Sequence, residues 1–116
     1  MSPALGEAPI YLVGLPGSGK SKVGRTLAAV LRVPHIDIDA RIEETQNRTI
    51  ASIFAEDGEK VFRGLEAAEI LGTEGSPAVI SLGGGAVETP AVREFLHHQT
   101  VVWIDAEHPI LLERVG

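Results

Sequence analysis

The chain of 116 residues is 44% apolar and 22% charged and carries a formal net charge of −6, which is typical of one ordinary soluble domain. The negative charge argues against nucleic acid and anionic membranes as partners, because a protein that binds either one needs clustered Lys and Arg. The absence of cysteine excludes disulfides, thiolate nucleophiles and Cys-ligated zinc. No apolar run approaches the roughly 20 residues of a membrane span, and the first nine residues lack the basic start and apolar stretch of a secretory signal.

Short apolar runs alternate with amphipathic stretches, a pattern that predicts an α/β fold with parallel strands and right-handed crossovers. Apolar runs predict strands at residues 10–13, 35–39, 78–82 and 101–104. Periodic apolar positions predict a helix from Lys20, with Val23, Leu27, Val30 and Leu31 on one face, and helices over residues 50–54 and 61–68. Helix-start signals predict two more, one that begins at Pro90 with Thr89 as its N-cap and one that begins at Pro109. We expect residues 1–9 to be a flexible leader and residues 10–116 to form one domain.

Residues 14–21 match the G-x-x-x-x-G-K-[ST] phosphate-loop pattern in full, between a predicted strand and a predicted helix. Glycines in such a loop let several backbone N–H groups point at phosphate oxygens, and the following helix adds its positive N-terminal dipole. Lys20 can reach the β- and γ-phosphates, and the Ser21 hydroxyl can ligate Mg²⁺. An ordinary glycine-rich turn is the alternative, but the strand–loop–helix context favours a nucleotide-phosphate site. The candidate phosphate-binding residues are Gly14, Gly17, Ser18, Gly19, Lys20 and Ser21.

Two aspartates, Asp37 and Asp39, end the second predicted strand. The period of two puts both carboxylates on one face, at the sheet edge where the ligands of parallel sheets gather. One carboxylate can hold Mg²⁺, directly or through water, while the other accepts a substrate hydroxyl, which suits phosphoryl transfer. The alternative is a solvated strand end in which Asp39 caps a helix that starts near Ala40.

A cation and a glycine triplet complete the candidate site. Arg63 and Glu66 have the i, i+3 spacing of a helical pair, in which Glu66 would fix a guanidinium that can grip another carboxylate; a surface ion pair is the alternative. The triplet of Gly83, Gly84 and Gly85 directly follows the third strand. Glycine there allows positive φ and close approach of a ligand to backbone N–H groups, unless the triplet is only a flexible turn.

Together these motifs resemble the shikimate kinase family. The resemblance rests on the order and spacing of the phosphate loop at 14–21, Asp37-Ile38-Asp39, Ile53-Phe54, Gly58-Glu59, Phe62-Arg63-x-x-Glu66 and Ser81-Leu82-Gly83-Gly84-Gly85, and it runs from about residue 10 to residue 115. The phosphate loop alone would indicate only a P-loop protein, whereas the later motifs are far more specific. The resemblance implies a three-layer α/β/α P-loop kinase fold with a mostly parallel sheet. It also implies a chain truncated at its C-terminal end, because the family continues with a lid, further arginines, another strand and an adenine-contacting loop.

The resemblance further implies that the γ-phosphate of Mg·ATP is transferred to the 3-hydroxyl of shikimate. Lys20 would bind the transferred phosphate, and Ser21 and Asp37 would hold one Mg²⁺ per chain. Asp39 would bind shikimate hydroxyls and act as a base toward the accepting one.

The same resemblance implies how shikimate itself is held. Arg63 would grip its carboxylate, and Glu66 would orient Arg63. The remaining implied positions are the backbone of Gly83, Gly84 and Gly85, the Walker B hydroxyl of Ser81, and the pocket-shaping rings of Phe54 and Phe62. By residue type alone, these two phenylalanines would more often belong to a core.

The implied protein is a cytoplasmic monomer of aromatic amino acid biosynthesis, with ATP and shikimate as ligands. Because the lid and its arginine contribute to transition-state stabilisation, we expect this chain to have little or no activity while keeping most phosphate and shikimate ligands. The residues leave two alternatives open: another small-molecule P-loop kinase, such as one for gluconate, and a non-catalytic nucleotide-binding fragment.

Overall fold

The computed structural model describes residues 8–14, 20–104 and 109–113, and of residues 20, 21 and 109–113 it describes the backbone. Within these ranges the elements are, in chain order, β1 (Ile10–Gly14), α1 (Lys20–Leu31), β2 (His35–Asp37), α2 (Ile38–Gln46), α3 (Ile50–Asp57), α4 (Glu59–Leu71), β3 (Val79–Ser81), a 3₁₀ turn (Ala86–Glu88), α5 (Pro90–Leu96), β4 (Thr100–Ile104) and β5 (Pro109–Glu113).

The strands form one sheet in the order β2-β3-β1-β4-β5, in which the first four strands run parallel. β1 lies in the middle, and its Leu12 is in register with Ser81 of β3 and Val102 of β4. Every residue of β1 is buried, as expected of a continuous apolar run that is covered on both faces of a parallel sheet.

Helices cover both faces of the sheet and give the predicted three layers. On one face α1 packs its Leu27 and Ala28 against Leu12 of β1. On the other face α2 to α5 build the larger core around Tyr11. The members of that core on the helices are Ile38, Ile42, Ile53, Phe62, Ile70, Val92 and Leu96. The α/β/α architecture expected from the sequence is therefore confirmed.

The buried face of α1 differs from the predicted one at a single position. Val30 is 71% exposed, although its spacing from Val23 placed it with the apolar residues. The most buried positions are Gly24 and Ala28, and at about 100° per residue Val30 lies beyond the edge of a face centred on them. The prediction was wrong for Val30 because the buried face of α1 is centred on the small residues Gly24 and Ala28, with Leu27 beside them.

The segment that begins at Pro109 is a strand, not the predicted helix. β5 pairs antiparallel with β4, with Thr100 opposite Glu113 and Ile104 opposite Pro109. Only four residues, 105–108, separate the two strands, which is long enough for a hairpin but far too short for the crossover that a parallel partner needs. Proline is tolerated at the first residue of a strand, so the local helix-start signal is overridden by pairing.

Candidate active site

The candidate site lies at the carboxyl edge of the sheet. Ser81, the last residue of β3, is in register with Asp37 at the end of β2 and with Leu12 of β1, so β2 and β3 end side by side next to the second half of β1. The predicted phosphate loop joins this edge at Gly14. Its residues Gly17, Ser18 and Gly19 lie outside the described residues, as do the side chains of Lys20 and Ser21.

The two aspartates do not share one face of a strand, as the sequence had predicted. β2 ends at Asp37, whose carboxylate caps α2 by accepting a hydrogen bond of 3.1 Å from the backbone N–H of Ala40. Asp39 lies instead in the first turn of α2. Aspartate is among the strongest N-cap residues and Ile38 is fully buried, so a helix begins where the alternating pattern predicted strand. The alternative was also wrong in detail, because the capping residue is Asp37 and not Asp39.

Asp39 and Glu66 converge on Gly83, the first glycine of the triplet. A Cβ placed on Gly83 would lie 3.1 Å from Oδ1 of Asp39, 3.2 Å from Oδ2 and 3.3 Å from Oε2 of Glu66. These distances are tighter than ordinary van der Waals contact, so the two carboxylates approach the backbone as closely as they do because Gly83 has no side chain. The helix α2 and the helix α4 thereby each bring an acid to the end of β3.

Arg63 on α4 binds two carboxylates. Its Nη1 donates to Oε1 of Glu66 at 2.9 Å, and its Nη2 and Nε donate to Oε2 of Glu59 at 3.2 and 3.4 Å. Burial alone would lower the pKa of Arg63, but the hydrogen bonds and charges of Glu66 and Glu59 raise it above its usual value. The predicted i, i+3 pair of Arg63 and Glu66 is thus formed, and the guanidinium stays charged.

The two phenylalanines stack beside this cation. Phe62 is buried in the core and Phe54 is partly exposed; their ring centroids are 4.9 Å apart. The guanidinium carbon of Arg63 lies 5.3 Å from the Phe62 ring centroid, within cation–π range. Phe62 therefore supports Arg63 from the core side, while Phe54 forms the exposed layer above Phe62.

Gly83 and Gly85 of the triplet are required by crowding and not by positive φ. Among the described glycines only Gly58 and Gly75 have positive φ, and Gly85 has φ −93° and ψ 0°, which any residue adopts. A Cβ on Gly85 would instead overlap the guanidinium of Arg63, 2.9 Å from its Cζ. The positive φ that the sequence allowed for is therefore not adopted, and the side-chain neighbours that crowd Gly83 and Gly85 could not be seen in the pattern.

A contact that the sequence gave no reason to expect joins His35 of β2 to Ser81 of β3. His35 Nε2 and Ser81 Oγ are 2.8 Å apart, and a Cβ on Gly24 of α1 would lie 2.6 Å from Nε2 and 3.0 Å from Oγ. Burial lowers the pKa of His35 below its usual value, against the opposing charge of Asp37. No spacing rule connects residues 46 apart, so only the fold reveals this junction of α1, β2 and β3.

Glu59 was missed as a partner of Arg63 for another reason, because its i, i+4 signal was present but not used.

The donors at this edge suit Mg²⁺ in kind. The described residues contain no group of three or more His, Cys, Asp or Glu able to hold a metal, but Mg²⁺ commonly keeps several waters and takes one or two carboxylates together with substrate phosphates. Asp37 uses one oxygen in its cap and keeps acceptor capacity, because a carboxylate offers about four lone-pair sites. Asp37 and the Ser81 hydroxyl are oxygen ligands of the type that this ion prefers.

An α/β/α fold with this strand order, with a phosphate-loop pattern after β1 and with acids and a guanidinium around the end of β3, is typical of the P-loop kinases of small molecules. Comparison with known proteins gives the family: the sequence model described as "Shikimate kinase" matches residues 16–116. The chain belongs to the shikimate kinase family.

Relatives and solved structures agree with this assignment. The chain is 49% identical over 107 residues to the shikimate kinase of Mycobacterium avium, and this alignment covers 90% of this chain and 60% of that protein. It is 47% identical over 96 residues to the shikimate kinase of Corynebacterium glutamicum, and this alignment covers 83% of this chain and 57% of that protein. The structure matches the shikimate kinase from Acinetobacter baumannii in complex with shikimate with a TM-score of 0.80 and 39% identity, over 84% of this chain and 55% of that one. The chain thus spans about 60% of the length of the curated relatives it matches. Across the part of the chain that the structure describes, no helix is both long and apolar enough to cross a bilayer.

Proposed function

We propose that this chain carries the phosphate and acceptor sites for the transfer of the γ-phosphate of ATP to the 3-hydroxyl of shikimate. The observation that carries the proposal is the convergence of Asp39, Arg63 and Glu66 on the glycine triplet at the end of β3. This arrangement offers a carboxylate for hydroxyls and a fixed guanidinium for a carboxylate, and shikimate carries both groups. The likeness to a relative solved with shikimate supports the same ligand.

The described residues support the acceptor side of the proposed reaction. Arg63 binds the shikimate carboxylate by charge-assisted hydrogen bonds, and Glu66 keeps the guanidinium in place. Asp39 orients the 3-hydroxyl and accepts its proton as the oxygen attacks the γ-phosphorus. The new bond joins that oxygen to phosphorus, while the bond from phosphorus to the bridging oxygen breaks and ADP leaves. Backbone N–H groups of Gly83, Gly84 and Gly85 line the acceptor, and the Phe54 and Phe62 rings wall the site.

The donor side is proposed from the phosphate-loop pattern. Gly14, Gly17, Ser18 and Gly19 would surround the phosphates with backbone N–H groups, and Lys20 would balance the charge on the transferred group. A bound Mg²⁺ neutralises charge on the phosphate oxygens, and Ser21 and Asp37 are the residues that would hold it. Asp37 then has two tasks, since it also caps α2.

Binding of shikimate tests the acceptor site more directly than turnover, because the chain spans about 60% of its relatives' length. Calorimetry would compare shikimate with the analogue in which a hydroxymethyl group replaces the carboxylate. We expect Arg63→Met to weaken shikimate binding roughly 10- to 100-fold, the worth of a hydrogen bond to a charged group, and to leave the analogue unchanged. Arg41→Met, an exposed arginine of α2, is the matched control. Equal binding of gluconate and shikimate would contradict the proposal and favour another small-molecule kinase.

We further propose that the protein is a cytoplasmic monomer and that residues 10–116 form its domain, with residues 1–9 outside it. The net charge of −6 supports solubility without nucleic acid or membrane as partner. Analytical ultracentrifugation with and without ATP and shikimate tests the monomer, and a dimer in either state would contradict it.

A further inference from the structure

The two carboxylates on Arg63 differ sharply in burial. The side chain of Glu66 is 1% exposed, whereas that of Glu59 is 61% exposed. Both lie on α4, one turn to either side of the arginine. Glu66 is therefore fixed by the packing around it, while Glu59 reaches the guanidinium from solvent and can leave it without disturbing the core.

Glu59 occupies one complete edge of the guanidinium. A single oxygen, Oε2, accepts from both Nη2 and Nε, and these two donors form a fork that can grip a carboxylate with two parallel hydrogen bonds. Nη1 is used by Glu66. A second carboxylate that is to bind Arg63 through the Nε–Nη2 fork must consequently take the place of Glu59.

The guanidinium lies against the glycine triplet. A Cβ on Gly85 would overlap Nη2 of Arg63 and lie 2.9 Å from both Cζ and Nη1, so Nη2, one of the two donors that Glu59 occupies, lies directly against the loop that follows β3. Exposed i, i+4 ion pairs on a helix are weak and screened by salt, and they yield to a carboxylate that is held by further contacts. The geometry thus combines a strong permanent partner with a weak exchangeable one at the acceptor site.

We propose that Glu59 is a placeholder for the carboxylate of the acceptor: it occupies the Nε–Nη2 fork of Arg63 in the free protein and is displaced when the acceptor binds. This inference rests on the proposed function, because it takes Arg63 as the residue that binds the acceptor's carboxylate. Because Glu59 must leave before an anion binds, the apparent affinity of the fork for every anion is reduced in proportion to the fraction of time that Glu59 leaves the fork free. Glu59 thereby selects for ligands whose hydroxyls make additional contacts, and it keeps simple monovalent anions off Arg63.

Glu59→Gln tests the placeholder, with Glu56→Gln as the matched control. Glu56 is 65% exposed and pairs with Arg48 away from the site, so the control removes the same charge from a similar ion pair. We expect E59Q to bind shikimate about three- to tenfold more tightly than the unmodified chain, E56Q to be unchanged, and the hydroxymethyl analogue to bind all three chains equally. Weaker or equal shikimate binding by E59Q would overturn the proposal and leave Glu59 as an orienting residue of Arg63.

Acetate separates this inference from the proposed function. The ¹⁵N–¹H signal of Arg63 Nε, assigned by its loss in Arg63→Met, is followed while acetate is added to each chain. E59Q should reach half of its shift at a lower acetate concentration than the unmodified chain and E56Q. If no chain binds shikimate but acetate gives this order, the proposed function fails and the placeholder stands. If acetate titrates all three chains alike, the placeholder fails whatever happens with shikimate. Circular dichroism of each variant checks that the fold is retained.

Discussion

The guanidinium of Arg63 lies so close to Gly85 that a Cβ there would be 2.9 Å from both Cζ and Nη1. Gly85 has backbone angles that alanine adopts without strain, and the obstructing atoms belong to the end of a flexible side chain. The cost of adding a methyl group at this position is therefore expected in the placement of Arg63 and much less in folding.

Gly85→Ala should accordingly impair ligand binding while leaving stability nearly intact. We expect the free energy of unfolding to change by less than about 1 kcal/mol, because the guanidinium can swing its Nη2 end away from the loop while Nη1 stays on Glu66. The affinity for shikimate should fall on the order of tenfold or more, since the displaced guanidinium no longer meets the carboxylate of the ligand. Calorimetry and urea denaturation measure the two quantities on one sample. A large loss of stability with unchanged affinity would show that the triplet serves the fold and not Arg63.

Replacing a glycine by alanine should have opposite effects on stability in α1 and in α4. Gly24 of α1 abuts His35 and Ser81, with 2.6 Å between an added Cβ and Nε2 of His35, whereas an added Cβ on Gly64 of α4 meets no atom within 4 Å. Gly64→Ala should stabilise the chain by about 0.5–1 kcal/mol through helix propensity. Gly24→Ala should destabilise it by about 1–3 kcal/mol because the overpacked junction must open. Thermal and urea unfolding compare the pair, and equal effects would contradict the close packing of α1.

The two partners of Arg63 should also differ in their contribution to stability. Glu66→Ala removes a buried partner from a charge, which destabilises proteins strongly when both groups are buried. Because the Arg63 side chain is 22% exposed, the expected loss is reduced to about 2 kcal/mol. Glu59→Ala removes an exposed pair and should change stability by no more than about 0.5 kcal/mol. Urea unfolding measures both, and similar losses in the two variants would mean that the difference in burial has no energetic consequence.

Much of this fold follows from local patterns. The runs that became β1, β3 and β4 are apolar and short, and the helices α3, α4 and α5 carry apolar positions at helical spacing between clear breaks such as Gly58. Where the sequence misled, two local signals competed. The alternation that ends in Asp39 suggested a strand, but the capping carboxylate of Asp37 and the burial of Ile38 begin a helix there. Pro109, a residue type that often starts a helix, is instead the first residue of β5.

The residues that gather at the end of β3 could be singled out from the sequence, but their geometry could not. Arg63 and Glu66 could be paired because they lie one turn apart on a single helix. The approach of Asp39 to Gly83, and of His35 to Ser81, joins residues that are distant in the chain. Such contacts depend on how helices pack on the sheet, which periodicity does not specify. For the same reason the glycine triplet could be singled out, while the crowding at Gly83 and Gly85 could not.

The hydroxyl of Tyr11 offers a test of the larger core that is independent of any ligand. It lies within hydrogen-bond distance of Thr73 Oγ1, at 2.6 Å, and the ring packs edge-on against Phe95. Burial raises the pKa of Tyr11 to about 12, while the hydrogen bond with Thr73 opposes the rise. Because the pKa in the folded chain is higher than the value of 10 in the unfolded chain, the protonated form favours folding. This stabilisation is complete below pH 10 and is lost as the pH rises toward 12.

The loss should amount to on the order of 2–3 kcal/mol. Tyr11 is the only tyrosine in the sequence, so absorbance at about 295 nm follows this one group. In the native chain we expect the midpoint of this absorbance change near pH 12. If the chain unfolds first, the absorbance should instead rise in a step between the two pKa values that coincides with unfolding followed by circular dichroism. In concentrated urea the midpoint should lie near pH 10. Tyr11→Phe should remove both the absorbance change and this part of the alkaline loss of stability. A midpoint near 10 in the native chain would place the hydroxyl in water and contradict its contact with Thr73.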